Sequence, residues 1–183
     1  MTDGPLPREE IVSTHPTLRG ERVTLRPIEQ ADRPRMHEIL AEPEVRRWWG
    51  PGPVEVAVDD LYDDDAVVFS IELDGATIGF IQYHEESEPD YRHAGIDLSL
   101  GREARGRGLG PDAIRTLARY LFDERGHHRL TIDPAAANDR AVRAYERVGF
   151  KPVGVMRRYE RGHDGEFHDG LLMDMLAGEL REG

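Results

Sequence analysis

The heptapeptide Arg105-Gly106-Arg107-Gly108-Leu109-Gly110-Pro111 connects an apolar run over residues 94–100 to an amphipathic run that begins at Pro111. Glycines at alternate positions let the backbone turn tightly and approach a ligand closely, and proline is favoured in the first turn of a helix. The first N–H groups of a helix have no intrahelical acceptor and lie at the positive end of its dipole, and Arg105 and Arg107 add two cations beside them. The heptapeptide therefore predicts a cradle for a pyrophosphate group.

Two common phosphate-binding patterns do not fit this segment. A P-loop requires a Gly-Lys-Ser/Thr ending, and the dinucleotide fingerprint requires Gly-x-Gly-x-x-Gly within a βαβ unit, whereas the glycines here run Gly-x-Gly-x-Gly. With Arg105, Gly108 and Gly110 in the pattern Gln/Arg-x-x-Gly-x-Gly/Ala, the segment resembles the acetyl-CoA loop of the GNAT superfamily of N-acetyltransferases. From the residues alone, a flexible surface turn remains the alternative.

A second segment, Asn138 to Phe150, matches the Asn-x-x-Ala-x-x-x-Tyr-x-x-x-Gly-Phe helix of the same superfamily position for position. The residues of this segment predict a helix without reference to the family. Asn138 is a favoured N-cap, Gly149 is a favoured C-cap glycine, and one helical face carries Ala141, Val142, Tyr145 and Val148. In an arbitrary helix, Tyr145 would be read as a core aromatic. Two motifs in register favour a functional tyrosine.

Hydrophobic periodicity predicts one domain of alternating helices and strands. Strands are expected over residues 21–27, 66–73, 76–83, 94–100, 129–133, 153–160 and 167–176, and helices over 30–40, 43–49, 54–62, 111–122 and from Asn138. An Asp74-Gly75 turn joins two of the strands, and residues 84–92 are expected to form an acidic loop. We expect an irregular arm over residues 1–16 and one N-acetyltransferase domain over 17–183. The resemblance implies a GNAT-like fold of the α/β (α+β) class, with a central mixed, mostly antiparallel twisted sheet flanked by helices.

Composition limits the possible functions. The 183 residues contain no cysteine, which excludes disulfides, a thiolate nucleophile and cysteine-ligated zinc, and no histidine spacing supports a metal site. There is no apolar stretch long enough to span a bilayer and no signal-peptide pattern, so we expect a cytoplasmic protein without a membrane partner. The net charge of −12 argues against nucleic acid and is compatible with a polycationic small molecule. An acidic surface that only maintains solubility is the alternative.

Asp97 is the residue that the pattern of its strand singles out. A carboxylate inside an otherwise apolar strand costs desolvation free energy unless something compensates, and a base for an incoming protonated amine would supply a reason. The alternative is an aspartate held by backbone or by an arginine for structure. Asp133 ends the next strand along the chain at the same expected edge, so a second carboxylate is expected in the same cleft.

From about Arg19 to Leu176 the chain resembles the aminoglycoside 6′-N-acetyltransferases, through Trp48-Trp49-Gly50, Gly79-Phe80-Ile81-Gln82, Gly95-Ile96-Asp97, Asp133-Pro134 and the Asn138 helix. Before this resemblance, the tryptophans are equally compatible with core plugs and with walls of a sugar pocket. The resemblance implies that acetyl is transferred directly from acetyl-CoA to the 6′-amine of these antibiotics, with Asp97 as base and Tyr145 as acid. The implied substrate contacts are Trp48, Trp49, Gln82, Asp97 and Asp133. The implied cofactor contacts are Leu98, Leu100, Arg105, Gly106, Arg107, Gly108, Leu109, Gly110, Pro111, Asn138, Arg140, Ala141 and Tyr145.

Other functions remain open at this level. The first alternative is acyl transfer to a hydroxylated lysine or similar amine in siderophore assembly. The others are acetylation of a protein N-terminus or ribosomal protein, and a non-catalytic module that binds acetyl-CoA or antibiotic. The family also leaves open whether the protein is a monomer or a homodimer.

Overall fold

Eight strands form one sheet in the structure, a computed structural model that describes residues 15–183. In chain order they are β1 (Leu18–Arg19), β2 (Thr24–Pro27), β3 (Val67–Leu73), β4 (Ala76–Glu86), β5 (His93–Leu100), β6 (Arg129–Ile132), β7 (Lys151–Arg161) and β8 (Phe167–Leu176). Their order across the sheet is β1-β2-β3-β4-β5-β6-β8-β7. Only the β5–β6 pair is parallel among the described residues, so the expected mixed, mostly antiparallel α/β sheet is confirmed.

The two parallel strands, β5 and β6, separate after a short paired segment near the centre of the sheet. β5 and β6 pair only at Ala94 with Leu130 and at Gly95 with Thr131. β5 then continues to Leu100 in register with β4, whereas β6 ends at Ile132. The second half of β5 therefore has a strand partner on one side only, and the gap on its other side is available to a ligand.

Helices cover both faces of the sheet. The segment Gln30–Asp32 is a 3-10 turn that leads into α1 (Arg33–Leu40), followed by α2 (Pro43–Arg46) and α3 (Val54–Asp60). These pack with Phe80 and Val68 in a smaller core. The other face carries α4 (Leu109–Arg119), which continues into a π-helical turn over Tyr120–Glu124, and α5 (Asp139–Val148). Here Ile114, Leu117 and Ala118 of α4 and Leu121 of the π-helical turn are buried in the larger core.

Asp112 fixes the beginning of α4. Its side chain is buried and accepts hydrogen bonds from the backbone N–H groups of Glu21, Arg22 and Val23, at 3.1, 2.8 and 2.9 Å. Arg22 in turn donates from Nη1 to the carbonyl of Arg107 at 2.7 Å. The segment before β2 therefore holds both the first turn of α4 and the loop that precedes it.

Several predicted boundaries need correction. The helix after the glycine loop begins at Leu109, not at Pro111, because Leu109 and Gly110 already belong to its first turn. The expected loop over residues 84–92 is wrong in its first three residues, since β4 runs to Glu86 and pairs there with His93. The predicted first strand begins three residues later, at Thr24, and is preceded by β1. Of the expected arm, residues 1–14 lie outside the described residues, and His15 and Pro16 belong to no helix or strand.

Candidate active site

A cavity of about 620 Å³ lies where β5 and β6 separate. Its walls come from β5, from the end of β6, from α5, from β7 and from the segment after α2. The residues that carry its chemistry are Asp97, Asp133, Tyr145, Tyr159, Glu160 and the pair Trp48 and Trp49. We call this space the acceptor cavity. It brings together residues from five separate parts of the chain.

A second cavity, of about 290 Å³, adjoins the first and lies over the glycine loop. Both cavities are lined by Leu98, Asn138 and Tyr145 as well as by the two tryptophans. The second, which we call the cofactor cavity, is also lined by Leu100, Arg105, Gly106, Gly108, Leu109, Gly110, Pro111, Arg140 and Ala141. Of the thirteen residues expected to contact the cofactor, only Arg107 is not among those that line the cavity.

The floor of the cofactor cavity is the N-terminus of α4. Gly106 and Gly108 have φ angles of 74° and 78°, a left-handed conformation that glycine adopts without a side-chain clash. Gly108 is the N-cap and, because it has no side chain, it leaves the first N–H groups of the helix uncapped. Within residues 15–183, no protein group accepts a hydrogen bond from the N–H of Gly108, Leu109 or Gly110. These donors are therefore available to an anion at the positive end of the helix dipole.

The two arginines of the loop have different neighbours. The guanidinium of Arg105 donates to the carbonyl of Leu100 at 2.8 Å and forms ion pairs with Glu42 and Glu44. The guanidinium of Arg107 instead donates to the carbonyl of Glu103 at 3.3 Å. Arg140, in the first turn of α5, faces the cofactor cavity and contacts Glu44. The arginines that line this cavity are thus Arg105, Arg140 and Arg147.

The second motif forms the helix that its residues predict. The side-chain oxygen of Asn138 accepts a hydrogen bond from the N–H of Ala141 at 3.2 Å, and Gly149 ends α5 with a φ angle of 130°. This cap fixes where α5 begins, and so places Asn138 at the junction of the two cavities. Tyr145, two turns later, reaches the same junction.

Asp97 lies at the centre of the opened sheet. It is half-buried, it is in register with Gln82 on β4, and the side-chain amide of Gln82 donates a hydrogen bond to it. Burial and the neighbouring charge of Asp133 raise the pKa of Asp97 above the ordinary aspartate value. Gln82 is not among the residues that line the acceptor cavity, and its contact with the site is through Asp97.

His84 is a neighbour of Asp97 that sequence reasoning missed. Its imidazole lies over Gly95, where a Cβ atom would be only 2.2 Å from the histidine Cε1 atom. Glycine at position 95 therefore makes room for the ring. A charge on His84 opposes the upward shift of the Asp97 pKa.

Asp133, Tyr159 and Glu160 form the acidic wall of the acceptor cavity. The hydroxyl of Tyr159 donates to Asp133, and this hydrogen bond, with burial, raises the pKa of Tyr159 to about 12. Desolvation and the charges of Asp133 and Asp97 raise the pKa of Glu160. Arg161 also lines the cavity, but its Nε donates to the carbonyl of Gly165 at 2.9 Å. Three carboxylates thus share one cavity and repel one another.

Adjacent strand residues normally point to opposite faces, yet Tyr159 and Glu160 both line the acceptor cavity. The reason is an irregularity in β7 between Met156 and Glu160, where the register with β8 shifts. At its centre Arg158 has a φ angle of 51°, and its N–H donates to a side-chain oxygen of Asp169 at 2.7 Å. No local sequence signal marked these two residues as part of the site.

Tyr145 is held by packing at the junction of the two cavities. Its ring lies edge-on to Phe150, with centroids 6.3 Å apart. Burial, together with the charges of Asp97 and Asp133, raises its pKa well above that of an ordinary tyrosine. Its hydroxyl is therefore protonated at neutral pH and is able to donate a proton or a hydrogen bond.

The two tryptophans have different neighbours. Trp49 packs edge-to-face on Phe80 of the smaller core, with ring centroids 5.0 Å apart, while the guanidinium of Arg47 lies 4.7 Å from the Trp48 ring centroid. Both rings still line both cavities. The two interpretations left open by the sequence are thus combined, since Trp49 is a core contact and a cavity wall at once.

Comparison with known proteins identifies the fold family. The family described as acetyltransferase (GNAT) domain matches residues 22–151 of the chain. The chain belongs to the GNAT acetyltransferase family. The expected resemblance is thereby confirmed, and with it the coarse activity of an acetyl-CoA-dependent N-acetyltransferase.

Relatives of this acetyltransferase differ in their substrates. The chain is 27% identical over 161 residues to aminoglycoside N(6′)-acetyltransferase type 1 of Klebsiella pneumoniae, covering 76% of this chain and 79% of that protein. It is also 27% identical over 158 residues to spermidine N(1)-acetyltransferase of Escherichia coli (strain K12), covering 82% of this chain and 84% of that protein. Among solved structures, AAC(6′)-Ib in complex with ribostamycin and coenzyme A matches with a TM-score of 0.72 and 24% identity. The match covers 87% of this chain and 96% of that chain.

GNAT acetyltransferases use acetyl-CoA, and the residues of this acetyltransferase fit that cosubstrate. The free N–H groups of Gly108, Leu109 and Gly110 and the guanidinium of Arg140 match its phosphates. The opening between β5 and β6 leads from there to Asp97. Among the described residues there is no cluster of metal-ligating side chains, and none of the described helices is long and apolar enough to cross a membrane.

Gly108 offers a test of the cradle. Replacing it with alanine is expected to weaken coenzyme A binding about tenfold, because a left-handed residue with a Cβ is strained and the amides behind it move from their positions. Isothermal titration with coenzyme A measures this change.

Gly126→Ala is the matched control for that variant. Gly126 has a φ angle of 69° and nothing within 4 Å of its Cβ position, where Gly108 has only Arg22 Nη1 at 3.9 Å, and it does not line the cofactor cavity. Both variants should lose a similar amount of stability, about 1–2 kcal/mol. Equal coenzyme A affinity in the two variants would contradict the assignment of the glycine loop as the phosphate-binding site.

Proposed function

We propose that this enzyme acetylates the 6′-amine of aminoglycoside antibiotics by direct transfer from acetyl-CoA. The observation that carries this proposal is the convergence of Asp97, Asp133 and Glu160 in one cavity bounded by aromatic rings. Aminoglycosides combine several ammonium groups with flat sugar rings, so they match both the charge and the walls of the acceptor cavity.

In the proposed reaction the acidic wall binds the substrate first. The ammonium groups lie between Asp133 and Glu160, and their charge relieves the repulsion among the three carboxylates. Asp97 then takes a proton from the amine that is to be acetylated, directly or through a water molecule, because only the neutral amine is a nucleophile. The raised pKa of Asp97 makes it a stronger base than an ordinary aspartate.

The cosubstrate supplies an acetyl thioester, and the chain positions it. The amides of Gly108, Leu109 and Gly110 hold the pyrophosphate, and Leu98 and Leu100 line the path toward Asp97. A main-chain N–H of β5 near Leu98 stabilises the negative charge that develops on the acyl oxygen. Tyr145, at the junction of the cavities, gives its hydroxyl proton to the departing sulfur.

Polyamine acetylation is the second candidate, because the spermidine acetyltransferase of Escherichia coli is as similar in sequence as the aminoglycoside enzyme. A polyamine would satisfy the carboxylates, but it has no rings to place against Trp48, Trp49 and Tyr159. Both substrates would therefore pair with the carboxylates, but only an aminoglycoside would also stack on the aromatic rings.

Steady-state thiol release from acetyl-CoA separates these candidates. Kanamycin and spermidine are compared as acceptors, together with neomycin and paromomycin, which differ in carrying an amine or a hydroxyl at the 6′ carbon. We expect kcat/KM to be at least about a hundredfold higher for kanamycin than for spermidine, and for neomycin than for paromomycin. Faster turnover of spermidine favours the polyamine candidate, and binding of antibiotic without thiol release contradicts catalysis.

A further inference from the structure

Glu44 occupies an unexpected position in the cofactor cavity. It lies on the single turn α2, far along the chain from the glycine loop, yet it lines the cavity with Arg105 and Arg140. One carboxylate oxygen accepts from Nη1 of Arg105 at 2.7 Å, and the other accepts from Nη1 of Arg140 at 3.2 Å. A single carboxylate therefore bridges two of the three arginines that line this cavity, Arg147 being the third.

A bridging carboxylate resembles a phosphate in this position. Both are anions with several acceptor oxygens, and guanidinium groups bind both in the same planar geometry. The free amides of Gly108, Leu109 and Gly110 line the same cavity, so a phosphate bound to them lies close to Glu44. Two anions in one cavity repel each other, so binding of the phosphate favours departure of the carboxylate.

Exposure and further contacts indicate which group moves. The side chain of Glu44 is 54% exposed, whereas that of Arg105 is only 13% exposed. Arg105 keeps its contacts with the carbonyl of Leu100 and with Glu42 when Glu44 departs. An exposed glutamate rotates into solvent at little cost, so the arginine stays and the carboxylate leaves.

We propose that Glu44 is an internal stand-in for the cofactor pyrophosphate, which acetyl-CoA displaces on binding, and that this displacement couples the cofactor cavity to the acceptor cavity. The α2 turn connects Glu44 to the tryptophans, because the N–H of Trp48 donates to the carbonyl of Val45, the residue after Glu44, at 2.9 Å. Trp48 lines both cavities. The inference rests on the proposed cofactor site at the glycine loop.

Glu44→Gln tests the competition. It removes the negative charge and keeps the shape, and we expect it to bind coenzyme A about three- to tenfold more tightly than the unmodified enzyme. The same tightening is expected with 3′-dephospho-coenzyme A, since the pyrophosphate is common to both. Isothermal titration of both ligands gives the two ratios, and unchanged or weaker binding overturns the proposal.

Two other glutamates provide matched controls. Glu38 is an exposed partner of Arg35 on α1 and does not line the cavity, so Glu38→Gln should leave the affinity unchanged. Glu42 contacts Arg105 but likewise does not line the cavity. If the role of Glu44 were only to orient Arg105, Glu42→Gln and Glu44→Gln would both weaken binding, and the proposal would be wrong.

Intrinsic fluorescence tests the coupling, because Trp48 and Trp49 are the two tryptophans of the chain. Coenzyme A is expected to change the emission of the unmodified enzyme. The spectrum of Glu44→Gln without ligand should already be shifted toward the bound one, so its change on binding is smaller. An equal change in both proteins overturns the coupling.

The experiments distinguish an error about the role of Glu44 from an error about the pyrophosphate site at the glycine loop. If Gly108→Ala binds coenzyme A as tightly as Gly126→Ala, the glycine loop is not the pyrophosphate site. If Gly108→Ala weakens binding while Glu44→Gln does not strengthen it, only the stand-in role of Glu44 is wrong.

Discussion

Asp97→Asn is expected to lower kcat/KM for the amine acceptor about a thousandfold at neutral pH, because the amide cannot take the proton that the attacking amine must lose. Asparagine keeps the volume of the side chain and its contact with Gln82, so the sheet around it should be undisturbed. Thiol release at subsaturating acceptor, measured across a pH series, gives the effect.

The pH series distinguishes a base from a simple cation-binding group. Burial and the charge of Asp133 raise the Asp97 pKa, so in the unmodified enzyme the active carboxylate is lost as the pH falls through a value above the ordinary one. The variant depends on amine that is already neutral in solution. Its activity should therefore keep rising with pH, and its deficit should shrink at alkaline pH. A deficit of constant size at every pH would contradict proton transfer to Asp97.

Asp133→Asn is the comparison for this experiment. Asp133 lines the same cavity and accepts a hydrogen bond from Tyr159, and we assign it to binding the ammonium groups. We expect its loss to raise KM by about tenfold while kcat changes little, because it acts on bound substrate and transition state alike. Coenzyme A affinity should be unchanged in both aspartate variants, which shows that the cofactor site is intact.

Local sequence was sufficient for the parts of the site in which neighbouring residues determine the backbone. The glycines at 106 and 108 adopt positive φ angles, and Asn138 caps α5 through Ala141, as their residue types indicate. Asp97 could be singled out because a carboxylate among apolar strand residues is unusual. In each case the signal lies within a few residues of the feature it predicts.

Other parts of the site depend on contacts between distant segments, which no local pattern records. Tyr159 and Glu160 share one cavity because β7 is irregular around Arg158, and arginine is not a residue that predicts a positive φ angle. Glu44 meets Arg105 across 61 positions of the chain. The sequence predicts a cation at position 105 but not its ion-pair partners Glu42 and Glu44, because these depend on how α2 packs.

Tyr145→Phe should lower kcat about a hundredfold and leave coenzyme A affinity nearly unchanged, because it removes only the hydroxyl that we propose as the proton donor for the departing thiolate. Burial and the charges of Asp97 and Asp133 raise the pKa of Tyr145, so the hydroxyl carries its proton throughout the neutral range. The measurements are single-turnover thiol release and titration with coenzyme A.

Phenylalanine at position 145 retains the ring that packs edge-on against Phe150, so a lost rate cannot be attributed to a hole in the core. Tyr83→Phe is the matched control, because Tyr83 is buried in the larger core and lines neither cavity. It loses the same hydroxyl and should keep the full rate. If Tyr145→Phe also turns over at the full rate, the thiolate leaves without a proton from Tyr145, and the acid must be water or the ammonium group of the substrate itself.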